Sequence, residues 1–211
     1  MLAGSDLRYR REGRVVLDGA SITVAAGEAV AVTGPSGSGK STLLALLAGL
    51  EPPDGGRVER RVDPSRIGMV LQGHGLISLL TAEENVALPL QARGRELSKA
   101  AIRRRSRAAL DAVRLGEVAT HLMEALSGGQ QQRVAVARAL VVDPAVLLAD
   151  EVTASLDAET RGLVVDLLLA RVAAGMSLVL ATHDLRLAAR ADRVIRIEQG
   201  RLVELGRLVE G

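Results

Sequence analysis

The sequence predicts an α/β fold with a mainly parallel sheet and flanking helices, and two features of the 211-residue chain carry that prediction. One is the stretch Gly34-Pro35-Ser36-Gly37-Ser38-Gly39-Lys40-Ser41-Thr42. It lies between the unbroken apolar run Ala29-Val30-Ala31-Val32-Thr33 and a segment from Leu43 to Ala48 that has no helix breaker. Strand, glycine loop and helix follow one another there. The other is a pair of short apolar runs, Val146 to Ala149 and Ser177 to Thr182, separated by a helical stretch from Ala158 to Ala174. Continuous apolar runs of that length read as strands buried on both faces, as in a parallel sheet.

The glycine stretch has the spacing of a phosphate-cradling loop: Gly, four residues, Gly, Lys, then Ser or Thr. Glycines let backbone N–H groups turn inward onto phosphate oxygens, and the start of the next helix adds its partial positive charge. Lys40 then reaches the β- and γ-phosphates, and the Ser41 hydroxyl holds Mg²⁺. A merely flexible turn is the plain alternative, and the agreement of both flanks argues against it. So does composition. The chain has 25 Arg and 2 Lys, yet keeps Lys at this position, where a compact ammonium suits the cradle better than a planar fork. ATP or GTP is the expected ligand.

With 48% hydrophobic residues the chain can bury a sizeable core, although it has no Phe or Trp and one Tyr. Leu, Val, Ile and Ala must fill that core, which packing permits when volumes match. No apolar run approaches the roughly 20 residues of a membrane span, and Met1 to Arg11 holds no hydrophobic export segment, so a cytoplasmic chain is expected. Zero Cys removes a disulfide framework. A formal charge of +2 is a poor argument for nucleic acid, and no nucleic-acid partner is expected.

From the N-terminus, Leu7-Arg8-Tyr9, Val15-Val16-Leu17 and Ser21-Ile22-Thr23-Val24 read as antiparallel strands leading into the loop strand. A lone Tyr usually serves the core. A core that dispenses with every other aromatic ring hardly needs Tyr9, which favours base stacking. After the loop helix, the turn cluster Glu51-Pro52-Pro53-Asp54-Gly55-Gly56 precedes strands at Arg57 to Arg61 and Ile67 to Leu71, the second ended by Gln72. Thr81 and Glu84 form a capping box for a helix that Pro89 is expected to kink or end. Ser98 to Val113 is a second helix, and its Arg103, Arg104, Arg105 and Arg107 read as a solvated face rather than a ligand patch. Leu126-Ser127-Gly128-Gly129-Gln130-Gln131-Gln132-Arg133 opens another helix, whose start is a second anion site.

Val146 to Ala149 ends in Asp150-Glu151, placing two carboxylates at the carboxyl edge of a sheet beside the phosphate loop. Capping of the next turn is the ordinary role for such acids. Beside bound phosphate they have a metal and a water to serve. His183 follows the second buried strand in the same crevice. His74 and His121 have no such place and read as structural. Arg193 to Glu198 and Arg201 to Glu204 close the chain as a hairpin through Gln199-Gly200.

Taken in order, the phosphate loop, Gln72, Leu126 to Gln130, Val146 to Glu151, Ser155-Leu156-Asp157 and His183 resemble the nucleotide-binding subunit of an ATP-binding cassette (ABC) transporter. The resemblance covers nearly the whole chain, and Tyr9 sits about where that family places its adenine-stacking aromatic. It implies one ABC ATPase domain over 1–211, with 1–72 and 127–211 as the phosphate-loop core plus an antiparallel β subdomain, and 73–126 as an inserted helical subdomain. It also implies a head-to-tail pair of cassettes, ATP lying between Lys40 of one copy and Ser127-Gly128-Gly129 of the other. Leu126 to Arg133 and Thr81 to Leu90 look most like exporters of the macrolide-efflux and lipoprotein-releasing type. Val152 stands where the family usually has Pro, and Gly73-His74-Gly75 lacks the bulky apolar residues that often follow the Gln.

What the resemblance implies chemically is ATP hydrolysis at the β–γ bond by in-line attack of water. Glu151 is the implied base, with His183 on the γ-phosphate and Gln72 sensing the metal. Asp150, Ser41 and Gln72 serve Mg²⁺; Tyr9, Gly34 to Thr42, Ser127 to Gln130 and Asp157 contact nucleotide. The implied partners are a second copy and a separate transmembrane permease, which holds the chain at the inner face of the membrane. A mechanical regulator of a membrane complex, moving no solute, is the alternative that the same cassette permits.

Overall fold

A computed structural model describes residues 1–92 and 97–206, so 93–96 and 207–211 of the ranges above lie outside the described residues. The chain divides into two compact units. The first holds Met1–Met69, Ala145–Glu151 and the described chain from Arg171. In it β1 (Leu2–Arg11), β2 (Arg14–Val24), β3 (Ala29–Thr33), helix α1 (Lys40–Ala48), β4 (Gly55–Arg60) and β5 (Ile67–Val70) come first in sequence. After a long excursion come β6 (Val146–Asp150), β7 (Ser177–Ala181), β8 (Arg193–Glu198) and β9 (Arg201–Gly206).

Two sheets result: an antiparallel one in the order β2-β1-β4, and a six-stranded one in the order β5-β6-β7-β3-β8-β9. In the larger sheet β6, β7, β3 and β8 run parallel, with Val30 opposite Val179 and Leu148 also opposite Val179. β9 turns back against β8, through Gln199 and Gly200 at φ +49° and +79°, the left-handed pair that a two-residue hairpin needs. Every residue of β3, β6 and β7 is buried, as their apolar runs predict. Helix α1 contacts β6 and β7 of one sheet and β1 of the other. Its Leu43, Leu44, Leu46 and Leu47 are wholly buried among Leu2, Leu7, Val30, Leu148 and Val179. The core is aliphatic throughout, and Tyr9 packs only at its margin. The last carbonyls of α1 are taken by Arg60, whose Nε donates to Leu47 O at 2.8 Å and Nη2 to Leu46 O at 2.7 Å.

The second unit holds Val70–Pro144 and Val152–Ala170. Helices α2 (Ala82–Ala92), α3 (Lys99–Ala112) and α4 (Gly128–Leu140) pack pairwise there, and α5 (Ala158–Ala173) begins in it. The capping box forms as expected: Glu84 Oε2 accepts the Thr81 N–H at 2.8 Å and Thr81 Oγ1 accepts the Glu84 N–H at 3.2 Å. The helix does not end at Pro89. It runs to Ala92, because Val86 and Leu90, at 0% and 1% exposure, bury its apolar side on both sides of the missing hydrogen bond. On α3, Arg103 and Arg107 reach across to Glu83 of α2 at 3.3 and 2.7 Å, while Arg104 and Arg105 are exposed, so the arginine face is partly a helix–helix clasp.

Asn85, wholly buried in α2, ties down the segment before that helix. Its Oδ1 accepts the Ile77 N–H at 2.8 Å, and its Nδ2 lies 3.0, 3.3 and 3.1 Å from the carbonyls of Ile77, Leu80 and Thr81. Such a polar group stabilises only while it is satisfied. Asn85→Ala strips partners from a buried N–H and its carbonyls and should cost about 1–3 kcal/mol. Thr81→Ala, which removes an exposed cap, should cost about 1 kcal/mol or less. Urea midpoints of the two variants against wild type read the difference directly.

Candidate functional site

In the first unit the site grows from the ends of β3 and β6. Gly34 leaves β3 at φ +144°, and a Cβ there would meet Ser38 Oγ at 2.8 Å and Ile197 O at 3.0 Å, so only glycine makes the exit. The loop closes through a bond from the Ser38 N–H to Pro35 O at 3.2 Å. Gly39, at φ +104°, begins α1 with no side-chain cap, and the first turn of that helix carries no acid. Its first N–H groups are therefore left for an external anion. Lys40 is 8% exposed, its Nζ donating to Gly34 O at 2.8 Å and Pro35 O at 3.1 Å. The ammonium is thus parked across the mouth of its own loop. Ser36 and Thr42 lie on the same stretch, and Ser38 Oγ is buried with no partner among the described residues.

Beside this loop stands Asp150, the last residue of β6 and 3% exposed. Its burial pushes the carboxyl pKa up, with the Glu151 charge adding to that; a hydrogen bond from the Ser41 hydroxyl and the Lys40 charge pull the other way. Asp150 Oδ1 has no partner among the described residues. A buried carboxylate half satisfied in this way, with a serine hydroxyl next to it, offers the hard oxygen ligands that Mg²⁺ takes.

Glu151 turns out of the strand at φ +49°, a conformation rare for a residue with a side chain, pinned by its N–H on Ala181 O at 3.0 Å. That turn brings its Oε1 to 2.8 Å from His183 Nδ1. An ionised carboxylate only accepts, so against one the Nδ1 of this exposed ring would be the donor. Elsewhere in the unit, the Tyr9 hydroxyl donates to Glu51 just beyond α1. Glu51 raises the phenol's pKa first through that bond. Glu51 was not singled out in the sequence.

In the second unit, Ser127 caps α4 with the expected exposed start. Its Oγ accepts the Gln130 N–H at 3.3 Å, and Gln130 Oε1 accepts the Ser127 N–H at 2.9 Å. Both side chains are thereby spent on the helix, leaving the backbone of Gly128 and Gly129 as the donor edge. Gly129 is required, since a Cβ would lie 3.0 Å from Ser155 O. Gln131 staples the preceding turn through Met123 O and Leu126 O at 2.9 and 3.0 Å, a role no spacing announced. Asp157 caps α5: its oxygens accept from the Thr160 N–H and hydroxyl at 2.9 and 2.7 Å, which hold its pKa down. Gln72 is exposed on the turn after β5.

The chain is 34% identical to a solved structure described as a dimeric post-hydrolysis state of the ATP-binding cassette MJ0796 bound to ADP and Pi, with a TM-score of 0.92 and 100% of both chains covered. It is 44% identical to the lipoprotein-releasing system ATP-binding protein LolD of Paramagnetospirillum magneticum, over 90% of each chain. It is equally 44% identical to the methionine import ATP-binding protein MetN of Mesorhizobium japonicum, covering 95% of this chain and spanning 59% of that relative. The sequence profile of the family described as "ABC transporter" matches residues 17–154. With that match, the chain belongs to the ABC transporter family, whose ATP-binding and ATP-hydrolysing cassette it forms.

Proposed function

We propose that this chain powers a membrane exporter, two copies closing head to tail on ATP and Mg²⁺ against a separate permease at the inner face of the membrane. The observation that carries the catalytic part is the pair at the end of β6: Asp150, buried with an unsatisfied oxygen beside Ser41, and Glu151, turned by its left-handed backbone onto His183. Asp150 and Ser41 would hold Mg²⁺, joined on resemblance by Gln72. When bound there, Mg²⁺ neutralises charge on the terminal phosphates. Lys40 leaves the carbonyls of Gly34 and Pro35 for phosphate oxygens, exchanging neutral acceptors for charged ones. Glu151 accepts the proton of the attacking water through the oxygen that His183 does not hold, and His183 meets the γ-phosphate through Nε2, which must itself carry a proton to donate there.

The two-chain site is supported by the helix start at Ser127-Gly128-Gly129, where Ser127 and Gly128 are exposed and Gly129 is half-buried, and by the dimer that the MJ0796 description names. For a permease on another chain, the support is that no helix among the described residues is long and apolar enough to cross a membrane, together with the names of the relatives. The direction rests on the likeness of Thr81 to Leu90 and Leu126 to Arg133 to the exporter type.

Glu151→Gln keeps the shape but cannot take the proton, so hydrolysis should stop with ATP in place. Light scattering after size exclusion should find this variant monomeric without nucleotide and dimeric with ATP and Mg²⁺, and Glu151→Gln with Ser127→Arg monomeric in both. A Glu151→Gln protein that stays monomeric at saturating ATP contradicts the two-chain site. For Tyr9, stacking on adenine is worth about 1–3 kcal/mol per base. Tyr9→Ala should weaken ATP binding by about that amount in calorimetry while Tyr9→Phe, which loses only the bond to Glu51, binds nearly as wild type; equal affinity for Tyr9→Ala removes the stacking role.

A further inference from the structure

The turn that follows Gln72 contains consecutive left-handed residues, with φ of +85° at Gly73, +66° at His74 and +56° at Gly75. A side-chain-bearing residue such as His74 rarely holds that conformation, so surrounding structure must impose it. Bonds inside the turn, from the His74 N–H to Leu71 O at 3.1 Å and the Gly75 N–H to Gly73 O at 2.8 Å, move with the turn and cannot anchor it. The anchor comes from α4. Arg138 Nη2 donates to His74 O at 2.8 Å and Nη1 to Gly75 O at 2.6 Å. Two parallel donors of one rigid plane, on adjacent carbonyls, fix the orientation of the peptides between them.

This guanidinium is half-buried, and burial lowers its pKa with no carboxylate among the described residues to offset it. A charge placed so is retained only where its hydrogen bonds matter. We propose that Arg138 is a positioning residue for ATP hydrolysis: its fork on His74 and Gly75 holds the turn that carries Gln72 and thereby sets where Gln72 reaches. The proposal rests on the reading of Gln72 as part of the hydrolytic site. An arginine that serves packing alone lowers stability, but its effect on turnover is independent of Gln72.

ATPase kinetics of wild type, Arg138→Ala, Gln72→Ala and the double variant separate the two. The expected result is a fall in kcat of about 10-fold for Arg138→Ala with KM for ATP changed less than about 2-fold, and a double variant no slower than Gln72→Ala alone. Wild-type turnover in Arg138→Ala, or losses that multiply in the double variant, overturns the proposal. Wild-type turnover in Gln72→Ala instead overturns the reading of Gln72. Arg138→Lys keeps the charge but reaches one carbonyl at a time, so it should fall between wild type and Arg138→Ala. It takes the alanine variant's place in the cycle if that variant does not fold.

Discussion

A carboxylate kept out of water with part of its hydrogen-bonding capacity unused is the constraint on which the first unit depends. Asp150 reaches that position because β6 is an unbroken apolar run in the interior of a parallel sheet, and the acid is simply what comes next at its carboxyl end. Burial resists ionisation there, and the Ser41 hydroxyl and Lys40 ammonium only partly offset it. The neighbouring features follow the same logic. Lys40 is held on carbonyls, Ser38 Oγ is unpartnered among the described residues, and the first turn of α1 is uncapped, so the polar groups that the proposed ATP and Mg²⁺ would meet have few partners within the fold.

The second unit solves a different problem. Its helices are joined by irregular segments whose backbone groups must be satisfied without strands, and buried or half-buried polar side chains do this one segment at a time. Asn85 holds 77–81, Gln131 holds 123–126, and Arg138 holds 74–75. Each acts from a helix onto a loop, so the loops bearing Gln72 and leading to Ser127 are set by helix packing rather than by their own sequence.

Where function is written in short-range backbone geometry, the sequence was legible. The loop from Gly34 to Thr42, the acidic strand end, the Thr81 and Glu84 capping box and the Gln199-Gly200 hairpin all depend on residues a few positions apart, and spacing reveals them. Side chains acting across long separations were not. Arg138 stands 63 residues from Gly75, and Tyr9 is 42 residues from Glu51; neither pairing leaves a periodic trace. Pro89, expected to kink or end its helix, does not end it, because burial of Val86 and Leu90 carries the helix on to Ala92. The left-handed turn at Glu151 was also invisible, since nothing in Asp-Glu-Val requires it, and with Val152 fully buried in the place where the family usually has Pro, the strand end still delivers Glu151 to His183.

The central claim, that Asp150 is an electrostatic liability completed by the ligand, is tested most directly by the thermal unfolding of Asp150→Asn with and without ATP and Mg²⁺. A raised folded pKa means that the carboxyl favours folding most below its unfolded pKa and that this contribution is lost as pH rises through the folded pKa, so the charged form is the one the ligand-free fold disfavours. The account predicts that Asp150→Asn raises the ligand-free Tm above that of wild type at pH values above the folded pKa of Asp150. It also predicts that the variant loses the extra Tm rise that Mg²⁺ gives over ATP alone. A variant that melts below wild type without ligand, or keeps the full Mg²⁺-dependent rise, contradicts it.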